Sequence, residues 1–279
     1  SHWRSAVCSS DPPLKTPEMR LAGKVAVFTG PGRGIGRACA CAVAGAGADT
    51  VLVSRTESDL DSVAAEIQEA GGTARTLVCD VSDLTQINDR IGGLERIDIL
   101  VNNAGTNAPQ MLVDVTEENY DKVMDLNVKS AVFVAQAVVR KMIEQGTGGS
   151  IIHMSSQMGH VGSPTRTIYC TSKHAIEGLN KAMAVELAPH NIRVNAVGPT
   201  YIETAMTAPN FANPEFRADA LSRIPMGRIG QLDEIMGAIV FLARSEERRV
   251  GKGCRSRWSP YHEKKKKKAS GACDAHWTA

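Results

Sequence analysis

The chain has 279 residues, of which 43% are hydrophobic and 22% charged, enough apolar material for one large core without disulfide bonds. Its seven cysteines form no CxxC pair and its seven histidines show no metal-ligand spacing, so we expect reduced thiols, a cytoplasmic location and no metal. No apolar run approaches the roughly 18 residues of a membrane span, and residues 1–18 lack the apolar centre of a secretory signal.

The formal net charge of +2 hides an uneven distribution. Residues 244–268 carry eleven lysines and arginines against three glutamates, a balance of +8, which leaves the remainder at −6. An acidic body without a basic stripe argues against nucleic acid as a partner. We predict a disordered extension over 1–18, one domain over 19–243, and an atypical basic tail over 244–279 that is disordered or artefactual. A genuine tail that binds an acidic partner is the alternative.

Short β-branched runs alternate with segments of helical period along the domain. We predict strands at 24–29, 50–54, 75–79, 97–102, 150–154 and 192–197, and helices that begin near Gly34 and run over 59–68 and 169–188. Parallel strands need crossover connections, so the alternation predicts a single-domain α/β fold. We expect a Rossmann-type doubly wound parallel sheet with helices on both faces.

A glycine-rich turn follows the first predicted strand directly, with the spacing Gly30-x-x-x-Gly34-x-Gly36. The G-x-G-x-x-G fingerprint does not fit it in any register, but the physical device is the same. Glycines let the chain turn tightly and let backbone N–H groups approach a pyrophosphate at the start of a helix. A turn placed between a strand and a helix therefore favours a nucleotide site over a plain loop.

Tyr169 and Lys173 lie four residues apart, and Ser156 ends the strand before them. On a helix, positions i and i+4 share a face, so we expect the ammonium group to favour the phenolate and to lower the tyrosine pKa from about 10. Ser156 could then hold a carbonyl oxygen against the phenol. These three residues predict a proton-transfer site, whereas a Tyr-x-x-x-Lys run alone is typical of an ordinary helix.

Five motifs together resemble the short-chain dehydrogenase/reductases over residues 20–243. They are Thr29-Gly-x-x-x-Gly-x-Gly36, Asn102-Asn-Ala-Gly105, Asn127, Ser156 and Tyr169-x-x-x-Lys173. The run that begins at Arg55 and the stretch from Tyr169 to Thr200 are similar to the sugar, polyol and dicarbonyl reductases within that family. The resemblance implies hydride transfer between a nicotinamide and a carbonyl or secondary alcohol. Tyr169 would be the general acid in reduction and the general base in oxidation.

The resemblance also assigns roles to single residues. Catalysis falls to Asn127, Ser156, Tyr169 and Lys173, with Lys173 also binding the ribose hydroxyls and Asn127 holding a water that relays protons to it. Read alone, Asn127 is more typical of a helix-surface amide. The predicted cofactor-binding residues are Gly30, Arg33, Gly34, Ile35, Gly36, Arg55, Asp80, Val81, Asn102, Ala104, Gly105, Tyr169, Lys173, Pro199, Ile202 and Thr204.

The residue after the second strand bears on the choice of cofactor. An NAD site usually has an acidic side chain there for the ribose 2′-hydroxyl, whereas this chain has Arg55. A guanidinium suits a 2′-phosphate, and Arg33 adds a second cation, which favours NADP(H) over NAD(H). Glu57 and Asp59 keep NAD open.

The substrate site is predicted less sharply. We expect Gln157, Met158, His160 and Arg166 to line the pocket mouth, a polar mixture that fits a keto-sugar, polyol or dicarbonyl. A 3-oxoacyl thioester is the alternative, and the loop over 201–228 has no pattern that predicts its fold. An alternative of another class is an inactive nucleotide-binding chain that acts through its basic tail.

The resemblance ends at Ala243, after which the family would supply a seventh strand that we expect this chain to lack. A missing strand would leave the sixth strand as an open edge. We expect a homo-oligomer, a dimer or a tetramer. The tetramer is in question because the family builds it partly from the C-terminal segment.

Overall fold

A computed structural model describes residues 19–205 and 207–244, and its centre is a six-stranded parallel sheet. The strands are β1 (Val25–Thr29), β2 (Asp49–Ser54), β3 (Thr73–Val78), β4 (Ile99–Asn102), β5 (Gly149–Met154) and β6 (Ile192–Val197). Their spatial order is β3-β2-β1-β4-β5-β6. The predicted Rossmann-type sheet is confirmed, with all six strands within two residues of the expected bounds.

Helices lie on both faces of the sheet. They are α1 (Gly34–Gly45), α2 (Glu57–Glu69), α3 (Leu84–Gln86), α4 (Glu117–Met124), α5 (Ser130–Gln145), α6 (Thr167–Leu187), α7 (Ala208–Phe211), α8 (Pro214–Ser222) and α9 (Asp233–Ala243). The apolar stripe of α2 is buried from Leu60 to Ile67, as its period predicts. Gly71, with φ 81°, follows the end of that helix.

Two hydrophobic clusters cover the two faces because alternate strand residues point in opposite directions. Phe28 of β1 belongs to the cluster formed with α1, α2 and α9. Its neighbour Val27 belongs to the cluster formed with α5 and the end of α6. Both faces of the sheet are therefore buried, as a parallel sheet requires.

The strand order reverses at β1, since β2 lies on one side of it and β4 on the other. Thr29 at the end of β1 is in register with Asn102 at the end of β4. The chain leaves these two carboxyl ends toward opposite faces, which opens a crevice between the loops that follow. Such a crevice is where doubly wound sheets bind their ligands.

The loop whose fold the sequence did not predict carries α7 and α8. Tyr201, Phe211 and Phe216 pack there as a small aromatic cluster, with ring centroids 5.6 to 6.0 Å apart. The predictions for 1–18, for the segment after Arg244 and for the missing seventh strand lie outside the described residues. In the described part of the chain, no helix is both long enough and apolar enough to cross a membrane.

Candidate active site

The glycine-rich turn after β1 is tied to the loop after β4. Thr29 Oγ1 accepts hydrogen bonds from the backbone N–H groups of Asn103 at 3.0 Å and Ala104 at 3.1 Å. The Asn103 amide donates in return to the carbonyl oxygen of Gly30 at 2.9 Å. A Cβ on Gly36 would overlap both that oxygen and the Asn103 amide nitrogen. Glycine at this position therefore allows the two loops to close on each other.

The same turn presents the beginning of α1. Gly30 and Gly34 have φ values of 64° and 55°, in the left-handed region that favours glycine. The first turn of α1, all of which is described, contains no acidic side chain. Its open N–H groups and the positive end of the helix dipole suit a pyrophosphate. The cradle thus fits the dinucleotide that the motifs predict.

Charged side chains of both signs stand where β2 ends. Arg55 is 68% exposed and lies 3.8 Å from a carboxylate oxygen of Asp80, a loose ion pair. Arg33, in the glycine turn, is exposed. Asp59 of α2 lies against Gly32, where an added Cβ would come within 3.2 Å of its carboxylate oxygen. The region can therefore offer two guanidinium groups or one carboxylate to a ribose.

Three predicted cofactor residues are buried in the frame of the site. The Asn102 side chain accepts from Thr29 Oγ1 at 3.2 Å and donates to the Ala131 carbonyl oxygen at 2.9 Å. Val81 and Ile202 are each 7% exposed and belong to the two hydrophobic clusters. Their side chains support the loops around the crevice.

The remaining predicted cofactor residues follow β1, β4 and β6. Ala104 and Gly105 follow β4, and Ile35 packs against the core at the start of α1. Thr204, after β6, reaches the glycine turn, since a Cβ on Gly34 would lie 3.6 Å from its methyl carbon. Pro199 lies between β6 and Thr204 and accepts a backbone hydrogen bond. The loops after these strands therefore surround one crevice.

The residues predicted to transfer a proton lie on α6 and just after β5. Lys173 Nζ donates to the Met154 carbonyl oxygen at 2.8 Å and stands 5.6 Å from the centroid of the Tyr169 ring. Only 5% of Lys173 is exposed, and this burial lowers its pKa to about 8. Ser156 follows β5, and its hydroxyl oxygen accepts from the backbone N–H of Met158 at 3.2 Å. The structure brings Tyr169, Lys173 and Ser156 together.

The pKa of Tyr169 differs from the expectation that Lys173 lowers it. Burial raises the pKa of the phenol, and this effect exceeds the opposing ones of a hydrogen bond with Ser156 and the charge of Arg166. The physical reason is desolvation, which disfavours the phenolate and, at Lys173, the ammonium group as well. The Tyr169 phenol is therefore neutral at pH 7.

Asn127 is buried within a π-helical turn over Asp125–Lys129, rather than on a helix surface. Its side-chain oxygen accepts from the Thr106 N–H at 2.7 Å, and its nitrogen donates to the Thr106 carbonyl at 2.9 Å and to Ser172 Oγ at 3.0 Å. Ser172 in turn donates to the Tyr169 carbonyl at 2.7 Å. Asn127 thus joins the loop after β4 to the helix that carries Tyr169.

Of the predicted substrate residues, Gln157 and His160 are exposed and Arg166 is partly buried. Gln157 accepts a hydrogen bond from the Thr200 hydroxyl at 2.7 Å. His160 is mostly exposed, and its Nε2 lies 3.4 Å from a carboxylate oxygen of Glu177. Arg166 immediately precedes α6, three positions before Tyr169.

Two residues that complete the site were not predicted individually. Asn103, which closes the glycine turn, is the second asparagine of the motif Asn102-Asn-Ala-Gly105, and the resemblance implies roles only for the other three residues. Ser172 lies inside the Tyr-x-x-x-Lys run, whose spacing predicts roles only for its first and last residues. Asn103 contacts Thr29 and Gly30, and Ser172 contacts Asn127. These partners are far apart in sequence, so no local pattern reveals the contacts.

Comparison with known proteins places this geometry in a family. The model of the short chain dehydrogenases matches residues 24–215. L-xylulose reductase of Bos taurus is 40% identical over 225 residues, 81% of this chain and 91% of that protein. The 3-oxoacyl-acyl-carrier-protein reductase of Thermotoga maritima is 41% identical over 233 residues, 82% of this chain and 93% of that protein.

Solved structures give the same result. A gluconate 5-dehydrogenase from Burkholderia cenocepacia, in complex with NADP and tartrate, matches with a TM-score of 0.79 and 35% identity. The match covers 82% of this chain and 91% of that one. With its Ser156, Tyr169 and Lys173 beside a dinucleotide cradle, the chain belongs to the short-chain dehydrogenases, oxidoreductases that act on CH–OH and carbonyl groups.

Proposed function

We propose that the chain is an NADP(H)-dependent reductase of a keto-sugar, polyol-derived ketone or dicarbonyl. The observation that carries the proposal is the grouping of Tyr169 with Ser156, its hydrogen-bond partner, and with the buried Lys173, whose Nζ lies 5.6 Å from the centroid of the Tyr169 ring. A phenol is protonated at neutral pH and can donate its proton to a carbonyl oxygen. Relatives named L-xylulose reductase and 3-oxoacyl-acyl-carrier-protein reductase support reduction as the direction.

Each side chain has a role in the proposed reaction. The nicotinamide, when bound, supplies the hydride to the carbonyl carbon. Tyr169 donates its proton to the carbonyl oxygen, while the Ser156 hydroxyl holds that oxygen in place. Lys173 stabilises the negative charge left on the phenol, and Asn127 positions the loop after β4 against α6. The proton is then regained from solvent.

The preference for NADP(H) is supported by the two guanidinium groups at the end of β2. Arg55 is exposed and forms only a loose ion pair, so its guanidinium group can turn toward a 2′-phosphate. Arg33 stands nearby in the glycine turn. Asp59, against Gly32, is the feature that supports the NAD alternative, because a carboxylate there would repel a phosphate and accept from a 2′-hydroxyl.

Titration with NADPH and NADH, followed by nicotinamide fluorescence, tests the cofactor proposal. Arg55→Asp should weaken NADPH binding roughly 10- to 100-fold and leave NADH equal or tighter, since it replaces an attraction by a repulsion. Arg140→Asp, at an exposed position of α5, is the matched charge control and should change neither. Equal affinities of the wild type for both cofactors would refute the preference.

A further variant separates binding from chemistry. Tyr169→Phe keeps the ring and loses the hydroxyl, so it should bind NADPH as the wild type does while turnover of L-xylulose falls at least about 100-fold.

The relative of 41% identity named as a 3-oxoacyl-acyl-carrier-protein reductase supports a second candidate substrate, a 3-oxoacyl thioester. Faster turnover of acetoacetyl thioesters than of any sugar or dicarbonyl would favour that candidate.

A further inference from the structure

A guanidinium group stands one helical turn before the proposed proton donor. Arg166 is the residue before α6, and Tyr169 lies three positions further on, within its first turn. The charge of Arg166 lowers the pKa of the phenol, against the larger effect of burial. Arg166 therefore lies within electrostatic reach of the reacting oxygen.

Arg166 has donor capacity that the described residues do not use. Its Nη1 atom is buried, and no described residue accepts a hydrogen bond from that atom. Arg166 also forms no ion pair with another described residue. A buried charged donor without an acceptor is costly, whereas an anionic ligand would remove that cost.

The backbone at Arg166 is held against the loop after β4. The Gln110 N–H donates to the Thr165 carbonyl oxygen at 3.0 Å, and Gln110 and Arg166 form an isolated parallel bridge. Thr165 has a φ of 60°, a conformation that is rare for a β-branched residue. Strain that the surroundings maintain in this way is typical of binding sites. The backbone that carries Arg166 is thus fixed against this loop.

Two amides of the same loop add acceptors. Asn107 and Gln110 each have a buried side-chain oxygen without a hydrogen-bond partner among the described residues. An amide oxygen accepts from a hydroxyl, and a guanidinium binds a carboxylate through two parallel hydrogen bonds. A polyhydroxylated acid offers both kinds of group.

We propose that Arg166 binds the carboxylate of the substrate, so that the chain acts on sugar-derived keto and hydroxy acids in preference to uncharged sugars. This inference rests on the proposed reductase function. In reduction, the ketone carbon gains the hydride and its oxygen gains the Tyr169 proton, while NADPH becomes NADP⁺. The carboxylate is unchanged and serves only as the anchor.

Reduction of 5-keto-D-gluconate and of L-sorbose by the full chain tests the proposal, because these compounds differ only in a carboxylate against a hydroxymethyl group. Arg166→Gln should raise KM for the acid roughly 10- to 100-fold and change KM for L-sorbose by less than about twofold. Arg166→Lys should recover part of the loss, since it keeps the charge without the fork. Arg140→Gln is the matched control and should alter neither KM.

Several results would overturn the anchor role. An equal fall of kcat for both compounds, with a shifted pH profile, would mean that Arg166 acts only on Tyr169. A wild type that prefers L-sorbose would also exclude it. If neither compound is reduced, calorimetry of D-gluconate and D-glucitol with the protein–NADP⁺ complex decides: the proposal requires binding of the acid that Arg166→Gln abolishes, and no binding refutes it.

The two proposals fail in different ways. NADPH binding without reduction of any sugar, dicarbonyl or keto acid would refute the proposed function. If L-sorbose is reduced as well as the keto acid, and substitution of Arg166 changes neither reaction, only the proposed substrate class is refuted.

Discussion

His153 is a buried ionisable side chain that the proposed reaction does not use. It lies on β5 between Asn102 of β4 and Ala196 of β6, and it is fully buried. Among the described residues, neither ring nitrogen has a hydrogen-bond partner. Burial, and secondly the charge of Lys173, lower its pKa from 6.5 to about 4. As pH falls, the unfolded chain therefore takes up this proton before the folded one does.

This difference makes the folded state sensitive to acid. The free energy of unfolding should decrease as pH falls from 6.5 to about 4, by up to about 3 kcal/mol from His153 alone. His153→Leu removes the ionisable group and keeps a similar side-chain volume. In this variant the free energy of unfolding, measured by urea unfolding, should fall less between about pH 7.5 and about pH 4.5 than in the wild type. His190→Leu, at an exposed position, is the control. A variant as acid-sensitive as the wild type would show that His153 is not responsible.

At the scale of elements, two glycines of helix α1 have different surroundings. At Gly36 an added Cβ would overlap the Gly30 carbonyl oxygen, whereas at Gly45 it would meet nothing within 4 Å. Gly36→Ala should therefore separate the loops after β1 and β4 and weaken NADPH binding at least about tenfold. Gly45→Ala should bind normally and gain about 0.5 to 1 kcal/mol of stability. Fluorescence titration and thermal unfolding of both variants test this, and unaltered binding by Gly36→Ala would contradict it.

Elements whose periodicity is local were predicted well from sequence. The strands and α2 follow from alternation and from the stripe of Leu60 to Ile67, because burial of one face leaves its period in the chain. The spacing of Tyr169 and Lys173 likewise predicts their common helix face. These features need only neighbouring residues.

Contacts between distant loops could not be predicted in the same way. Three findings depend on how deeply a side chain is buried. They are the inward turn of Asn102, the three hydrogen bonds of Asn127 and the raised pKa of Tyr169. Burial depends on residues far away in the chain. The loop that carries α7 and α8 has no strong period, so its aromatic cluster around Tyr201 was likewise unpredictable.

At the scale of the whole molecule, the candidate site joins the two halves of the sheet. The loops after β1 and β2 belong to one half, while those after β4, β5 and β6 belong to the other. Thr29 and Asn103 already tie the halves together where the strand order reverses. A dinucleotide held across this crevice would add contacts to both sides that the unfolded chain lacks.

Cofactor binding should therefore stabilise the domain as a unit. A ligand that binds only the folded state adds about 2.7 kcal/mol at 100 times its Kd, and about 2 to 4 °C of Tm accompany each kcal/mol for a domain of this size. We expect NADPH at that excess to raise Tm by about 5 to 10 °C, and the same concentration of NADH to raise it less. Gly36→Ala should show a smaller shift under identical conditions, and Tyr169→Phe should show the full one, because the first alters the cradle and the second only the reacting hydroxyl. A full shift in Gly36→Ala would place the cofactor outside the crevice between β1 and β4, whereas equal shifts by NADPH and NADH would remove the role given to Arg55.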